Sequence, residues 1–273
     1  PGTTNSRAPQ ETPSRRPSST LLRPPLPHAS SSLVHEAPEF GLLQAPPHWR
    51  VVDLISDMHL KPEEPGTFEA WAAYMRNTPA DAVLILGDLF DAWVGDDAAC
   101  AGSFEARCGD VLRACPAELA FMRGNRDFLV GSDFLERRGV RDLSRDPTIF
   151  VHAGHRLLLS HGDLLCIDDK PYQQFRQMVR NPQWQAQVLA MPLAERRAAA
   201  RELRRQSAAL QADLNPQDHA HADSALARQW LLHAAATVLI HGHTHKPADH
   251  ALGANNAGEK LTRMVLSDWH VTA

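Results

Sequence analysis

Five times between Val51 and His245, a short apolar run ends in a polar segment that carries Asp, Asn or His. Val51-Val52-Asp53-Leu54-Ile55 leads into Ser56-Asp57-Met58-His59, and Ala82-Val83-Leu84-Ile85-Leu86 leads into Gly87-Asp88. Leu119-Ala120-Phe121-Met122 leads into Arg123-Gly124-Asn125-Arg126-Asp127. Thr148 to His152 and Arg156 to Ser160 read as a hairpin ending in His161-Gly162-Asp163. Ala236 to Ile240 ends in His241-Gly242-His243-Thr244-His245. Runs of this length and composition are those of buried strands. Between the first two, Thr67 to Arg76 spaces Phe68, Trp71, Ala72 and Met75 as one apolar helix face. An α/β fold is predicted, with its polar groups gathered beyond the carboxyl ends of the strands.

A single Asp after a strand is ordinarily a turn residue or a helix cap. Five such segments together point to one shared site. The candidate donors are Asp57, His59, Asp88, Asn125, His161, His241 and His243, all oxygen or imidazole with no thiolate. Such a set suits Mn²⁺, Fe²⁺, Zn²⁺ or Co²⁺ and argues against Ca²⁺ or a soft metal. It is too large for one transition ion and suffices for two ions roughly 3.5–4 Å apart that share a carboxylate. Two such ions with Arg126 would offset charge developing on phosphorus, so phosphoester or phosphoanhydride hydrolysis is expected. His245 is expected to support the centre from outside the ligand set.

Composition narrows the setting. The 273 residues suit one large domain or two small ones, and a net charge of −4 leaves no overall footprint for nucleic acid. No stretch approaches the ~20 apolar residues of a membrane-spanning helix. Cys100, Cys108, Cys115 and Cys166 form no CxxC pair, so a reduced, cytoplasmic protein is expected. Histidine is in excess, with 15 in the chain. Residues 1–48 hold ten of the 20 prolines and no apolar periodicity, so this tail is expected to be disordered. No initiator Met opens the chain, and a fragment or a processed product is expected.

The motifs D-x-H, G-D, G-N-R-D, H-G-D and H-G-H-T-H, in this order over residues 57 to 245, resemble those of the calcineurin-like metallophosphoesterases. Within that superfamily the chain is similar to the UDP-2,3-diacylglucosamine hydrolase family of lipid A biosynthesis. The likeness lies in Ile55 to Leu60, Gly87 to Asp97, Gly124 to Leu129, His161 to Asp163 with Cys166 and Asp168-Asp169, and Trp269-His270. The resemblance implies two mixed β-sheets flanked by helices, with an inserted helical cap. It implies that Asp57, His59, Asp88 and His243 hold one ion. A bridging Asp88 with Asn125, His161 and His241 would hold the other. Mn²⁺ is the expected ion, and Asn125 and Arg126 are the expected catalytic residues.

From Lys170 to about residue 232 no strand pattern occurs. Eight basic residues fall between Lys170 and Gln206, and Ala194 to Leu214 favours helix. Arg197, Arg201 and Arg204 share a face at i, i+4 and i+7, a candidate for contact with an anionic membrane or a diphosphate. By resemblance, substrate contacts fall on Asn125, Arg126, Asp169, Tyr172, Arg204, Ser207, Gln211 and His241. Leu214 stands where the family usually has Lys. The chain stops soon after Trp269-His270, where the family continues through more strand. A truncated chain or a short second sheet is therefore expected.

The expected organisation is a tail over 1–48 and a metallophosphoesterase domain over 49–273, with the cap at about 170–232. The expected reaction is attack of metal-bound hydroxide on the α-phosphorus of UDP-2,3-diacylglucosamine. It yields UMP and 2,3-diacylglucosamine 1-phosphate at the inner face of the bacterial inner membrane, with no nucleic acid and no obligate protein partner. The alternatives are a related dinuclear phosphoesterase acting on a phosphoprotein, a nucleotide or nucleic acid, and a non-catalytic scaffold.

Overall fold

In a computed structural model of the chain, which describes residues 38–213 and 221–269 without the side chains of 210–213, every residue of Ala82 to Leu86 is inaccessible to solvent. That strand needs an apolar layer on each face, and period-two alternation supplies both. The strands are β1 (Gly41–Gln44), β2 (Val52–Ile55), β3 (Ala82–Leu86), β4 (Glu118–Met122) and β5 (Val140–Leu143). They continue with β6 (Thr148–His152), β7 (His155–Ser160), β8 (Val238–His241), β9 (Ala248–Ala254) and β10 (Lys260–Val265). The helices are α1 (Pro65–Asn77), α2 (Phe104–Ala114), α3 (Ser132–Glu136), α4 (Lys170–Val179), α5 (Pro182–Leu189), α6 (Leu193–Asp213) and α7 (Ser224–Ala234).

Two sheets stack. One runs β2-β3-β4-β5 and the other β1-β6-β7-β8-β10-β9. Every pairing in the first is parallel, so only the six-stranded sheet is mixed. Ala82, Leu84 and Leu86 of β3 meet Phe150, Leu159 and Ile240 between the sheets. Val83 and Ile85 face outward into a cluster with Phe68, Trp71 and Met75 of α1, Leu112 of α2 and Phe134 of α3. On the far side, Leu158, Leu239, Leu252 and Leu261 pack under Leu226, Ala227, Trp230 and Leu231 of α7. The result is a sandwich of helices, sheet, sheet and helix.

Several expectations about extent need correction. Regular structure is present before residue 49: Gly41 to Gln44 add a strand parallel to β6, with Leu43 only 3% exposed. Four residues at a sheet edge are too few to show periodicity in sequence. The second sheet is not short, because β9 and β10 bring it to six strands. The cap does not extend to residue 232, because α7 belongs to the core of the six-stranded sheet and carries the chain from β7 to its parallel neighbour β8. An amphipathic helix reads alike in either place; contact with Leu239 and Leu261 assigns it to the body. The tail through residue 37, Leu214 and His270 lie outside the described residues, as does the Gln211 side chain.

Arginines tie the cap, α4 to α6, to the sandwich. Arg196 is 4% exposed and donates to the Val94 carbonyl and to both carboxylate oxygens of Asp97. Arg204 makes a bidentate pair with Asp91, at 2.7 and 3.1 Å, and Arg197 approaches Glu105 at 3.8 Å. The face shared by Arg197, Arg201 and Arg204 is therefore turned in part onto acidic residues of the body, with Arg201 left exposed. Helical spacing defined the face but could not say what lay opposite it.

Truncating Leu84 to Ala opens a cavity between the sheets and is expected to cost about 2–5 kcal/mol of stability. Equilibrium urea unfolding checks this; a loss below about 1 kcal/mol would contradict the packing described.

Candidate metal centre

The turns after β2, β3 and β8 deliver their donors through strained backbone. Asp57, His59, Asp88, His243 and His245 all have φ between 48° and 68°. That region is disfavoured for residues with a side chain and is kept only where the surroundings impose it. Gly124 shows how tight they are: a Cβ there would collide with the Asp88 carboxylate. Asp127 locks the same loops, accepting from the Gly124 N–H at 2.7 Å and the Leu89 N–H at 2.8 Å.

The side chains converge in two groups. In the first, His59 Nε2 lies 3.1 Å from His245 Nε2, and His245 Nε2 lies 3.3 Å from Asp57 Oδ1. One ligand atom from each of Asp57, His59 and His245 falls within 4.8 Å of the others, and the same holds for Asp57, Asp88 and His161. In the second group, His161 Nε2 is 3.7 Å from Asp88 Oδ1. The Asn125 amide stands 2.9 Å from His161 Nε2 and 3.0 Å from His243 Nδ1. Asp88 lies between the groups, 3.9 Å from His59 Nδ1 as well.

The surroundings set the charge of these groups. Burial pushes His59 and His243 down to about 4, so both imidazoles keep a free lone pair at neutral pH. Burial also pulls His161 down, but Asp88, Asp163, Asp57 and Asp146 outweigh it and raise it to about 9. Burial raises Asp57, and the His245 hydrogen bond with the nearby imidazole charges brings it below the usual carboxylate range. Burial holds Asp88 well above that range. The negative field that would protonate His161 is the field a bound cation would meet.

The donor set fits a divalent cation in a further respect. With its oxygen inward, the Asn125 amide faces two ring nitrogens; turned over, it would donate to Asp88 Oδ2 at 3.1 Å and accept from Arg126 Nε at 3.3 Å. Hydrogen bonds alone favour the second orientation, whereas a cation among these atoms favours the first. The outer partners suit ligation too. His161 Nδ1 sits 2.9 Å from the Leu86 carbonyl, and His245 Nδ1 sits 3.3 Å from Asp268. Such partners aim the opposite ring nitrogen inward.

The structure brings Asp57, His59, Asp88, Asn125, His161 and His243 together but leaves His241 apart. It is fully buried, with Nδ1 at 2.8 Å from the Gly242 carbonyl and Nε2 at 3.0 Å from Arg263 Nη1, so neither nitrogen is free to ligate or to touch substrate. His245 occupies the first group in place of His243, which moves to the second. The cause is the end of β8: His241 is still paired with Ser160 and Val265, and the turn starts only at Gly242. The donor pattern is thus shifted by one alternate position along H-G-H-T-H. Asp268 was missed as well, and S-D-W-H offered no spacing signal for it.

Of the expected substrate contacts, Arg126 lies at the rim, with Nε 3.9 Å from Asp88. Tyr172 lies near His243 in a tilted arrangement, 5.8 Å between ring centres, but its hydroxyl is committed to Asp163 at 2.6 Å. Asp169 caps α4 by accepting from the Tyr172 N–H, and Ser207 lies half-buried on α6.

The calcineurin-like phosphoesterase family model matches residues 51–247. A UDP-2,3-diacylglucosamine hydrolase of Stenotrophomonas maltophilia (strain R551-3) is 44% identical over 226 residues, which cover 79% of this chain and 90% of that protein. A protein of the same description from Chromobacterium violaceum is 43% identical over 228 residues, covering 80% and 90%. With the whole donor set inside the matched region, the chain belongs to the calcineurin-like phosphoesterase family.

Proposed function

We propose that the chain hydrolyses the phosphoanhydride bond of UDP-2,3-diacylglucosamine, releasing UMP and 2,3-diacylglucosamine 1-phosphate, a step of lipid A biosynthesis. The observation that carries this reading is the pair of donor groups meeting at Asp57 and Asp88, in a chain that spans nine-tenths of relatives described by that activity. Asp57, His59, Asp88 and His245 hold one divalent ion, and Asp88, Asn125, His161 and His243 hold the other. Oxygen and neutral imidazole donors suit Mn²⁺. Two such ions, when bound, supply a water nucleophile at neutral pH and positive charge for the phosphoryl oxygens.

The chain's own residues do the rest. His59 and His243 stay neutral through burial, which leaves each imidazole a lone pair for ligation. Arg126, beside Asp88, stabilises the charge that grows on the phosphoryl oxygens. Arg204 engages the diphosphate by exchanging Asp91 for phosphate, which its planar fork recognises equally well. A substrate with two acyl chains resides in a bilayer, so peripheral contact with an anionic membrane belongs to the proposal. Among the described residues no helix is long and apolar enough to cross one. Arg197 and Arg204 are partly engaged by carboxylates of the sandwich, so Arg201 is the most exposed cation of that face for such a contact.

UMP release from UDP-2,3-diacylglucosamine, measured with Mn²⁺ and with a chelator, tests the reaction. Release that persists in chelator, or none in Mn²⁺, would refute it. Asp88→Ala is expected to lower turnover by several orders of magnitude with the fold retained. Activity above roughly a tenth of wild type, a loss of only about 1.4 kcal/mol, would remove Asp88 from the bridging role. His245→Ala is expected to lose one equivalent of Mn²⁺ by elemental analysis; two equivalents retained would return His245 to a supporting place. Flotation with anionic vesicles is expected to carry the protein upward, and binding is expected to fall as salt rises.

A further inference from the structure

In β10 the residues turned into the core are Leu261, Arg263 and Val265, at 1%, 6% and 7% exposure. Period-two alternation calls for an apolar residue at the middle position, and an arginine stands there. Its Nε has no hydrogen-bond partner, and no carboxylate pairs with it among the described residues. A buried guanidinium without a counter-ion is costly, so a core that needed only packing would place a Leu or Met here. What Arg263 does touch is His241, with Nη1 at 3.0 Å from Nε2.

That contact fixes a tautomer. Arginine only donates, so His241 Nε2 accepts, and the ring proton resides on Nδ1. Nδ1–H then donates to the Gly242 carbonyl at 2.8 Å. The same carbonyl accepts from Thr244 N–H at 2.8 Å, and Gly242 N–H donates to the His161 carbonyl at 3.0 Å. The His241 ring also fills the space that a Cβ on Gly162 would need, so it wedges between the two histidine-bearing loops. Immediately after this pinned peptide come His243 and His245, both in left-handed backbone, with His243 N–H on Asp57 Oδ2 at 2.9 Å.

We infer that Arg263 and His241 are a positioning pair: Arg263 holds His241 in the Nδ1–H form, and His241 holds the Gly242 peptide that aims His243 and His245 into the two donor groups. The inference rests on the reading of His243 and His245 as metal ligands. Neither member of the pair touches metal or substrate; both act through the Gly242 carbonyl.

The test is metal binding to apo protein, by calorimetry with Mn²⁺ and by the visible spectrum of bound Co²⁺, with thermal melting in parallel. Arg263→Met and His241→Leu are expected to bind Mn²⁺ about tenfold to a hundredfold more weakly and to alter the Co²⁺ spectrum. His241→Asn keeps an N–H near the Nδ1 position and is expected to recover most of that loss. A role in packing alone would shift melting and leave affinity and spectrum as they are. Wild-type affinity and spectrum in Arg263→Met would overturn the inference, as would equal weakening in His241→Asn and His241→Leu. If Arg263→Met does not fold, the two His241 variants decide. His245→Ala is the control: if it keeps both equivalents of Mn²⁺, the ligand reading itself falls. If it loses one while Arg263→Met is unchanged, only the positioning pair falls.

Discussion

Five carboxylates, those of Asp57, Asp88, Asp127, Asp146 and Asp163, are buried around one imidazole, His161, and all of them act on its charge. Like charges at such range and depth repel strongly, and each uncompensated one costs several kcal/mol. Much of the local architecture answers that repulsion. Asp127 is satisfied by backbone N–H groups of the β3 and β4 loops, which is why those loops keep their shape. Asp146 takes the Ser160 hydroxyl, and Asp163 takes the Tyr172 hydroxyl and the Arg176 guanidinium. Asp57 and Asp88 are left to imidazoles and a few N–H groups, and their unmet charge makes the centre attractive to cations.

The cap follows from the same imbalance. Arg176 on α4 brings a positive charge to Asp163 at 2.8 Å, and Arg180 donates to the carbonyls of Arg123 and Gly124, the residues just before Asn125. Gln173 on the same helix face reaches the Asp163 and Cys166 carbonyls. The helix after H-G-D therefore completes the electrostatics of the centre and braces the two loops that carry His161 and Asn125. Farther along, Arg196 and Arg204 fasten α6 to Asp97 and Asp91, in the segment that follows Asp88.

Much of this was legible from residue order alone, because strands buried on both faces announce themselves as unbroken apolar runs and their polar ends mark the site. β2, β3, β4, the β6–β7 hairpin and β8 fall where those runs lie, and five loops meet where five polar ends were read. The strands that escaped are short, lie at an edge, or, like the interior β10, are interrupted by cations at Lys260 and Arg263. β1 spans four residues, β5 alternates through Arg141 and Asp142, and β9 carries small and polar residues such as Ala248, Asp249 and Gly253. The shift from His241 to His245 escaped for another reason. Three histidines at alternate positions are equivalent until the residue at which the strand ends is known, and that depends on pairing with Val265, far along the chain. Arg263 is similar: a cation in a strand reads as an outward residue, and only the burial of Leu261 and Val265 beside it shows that it faces in.

The left-handed backbone at Asp57, His59, Asp88, His243 and His245 bears on how this protein can change. An L-residue in that region costs roughly 1–2 kcal/mol that glycine does not incur. Each of these five donors is therefore a position where glycine would relieve the backbone, and at Asp57 and Asp88 it would also remove a buried carboxylate, at the loss of a donor. Stability and chemistry pull in opposite directions at the same residues. A lineage released from selection for hydrolysis would drift toward glycine at these turns first, and would become a sturdier fold as it lost its purpose.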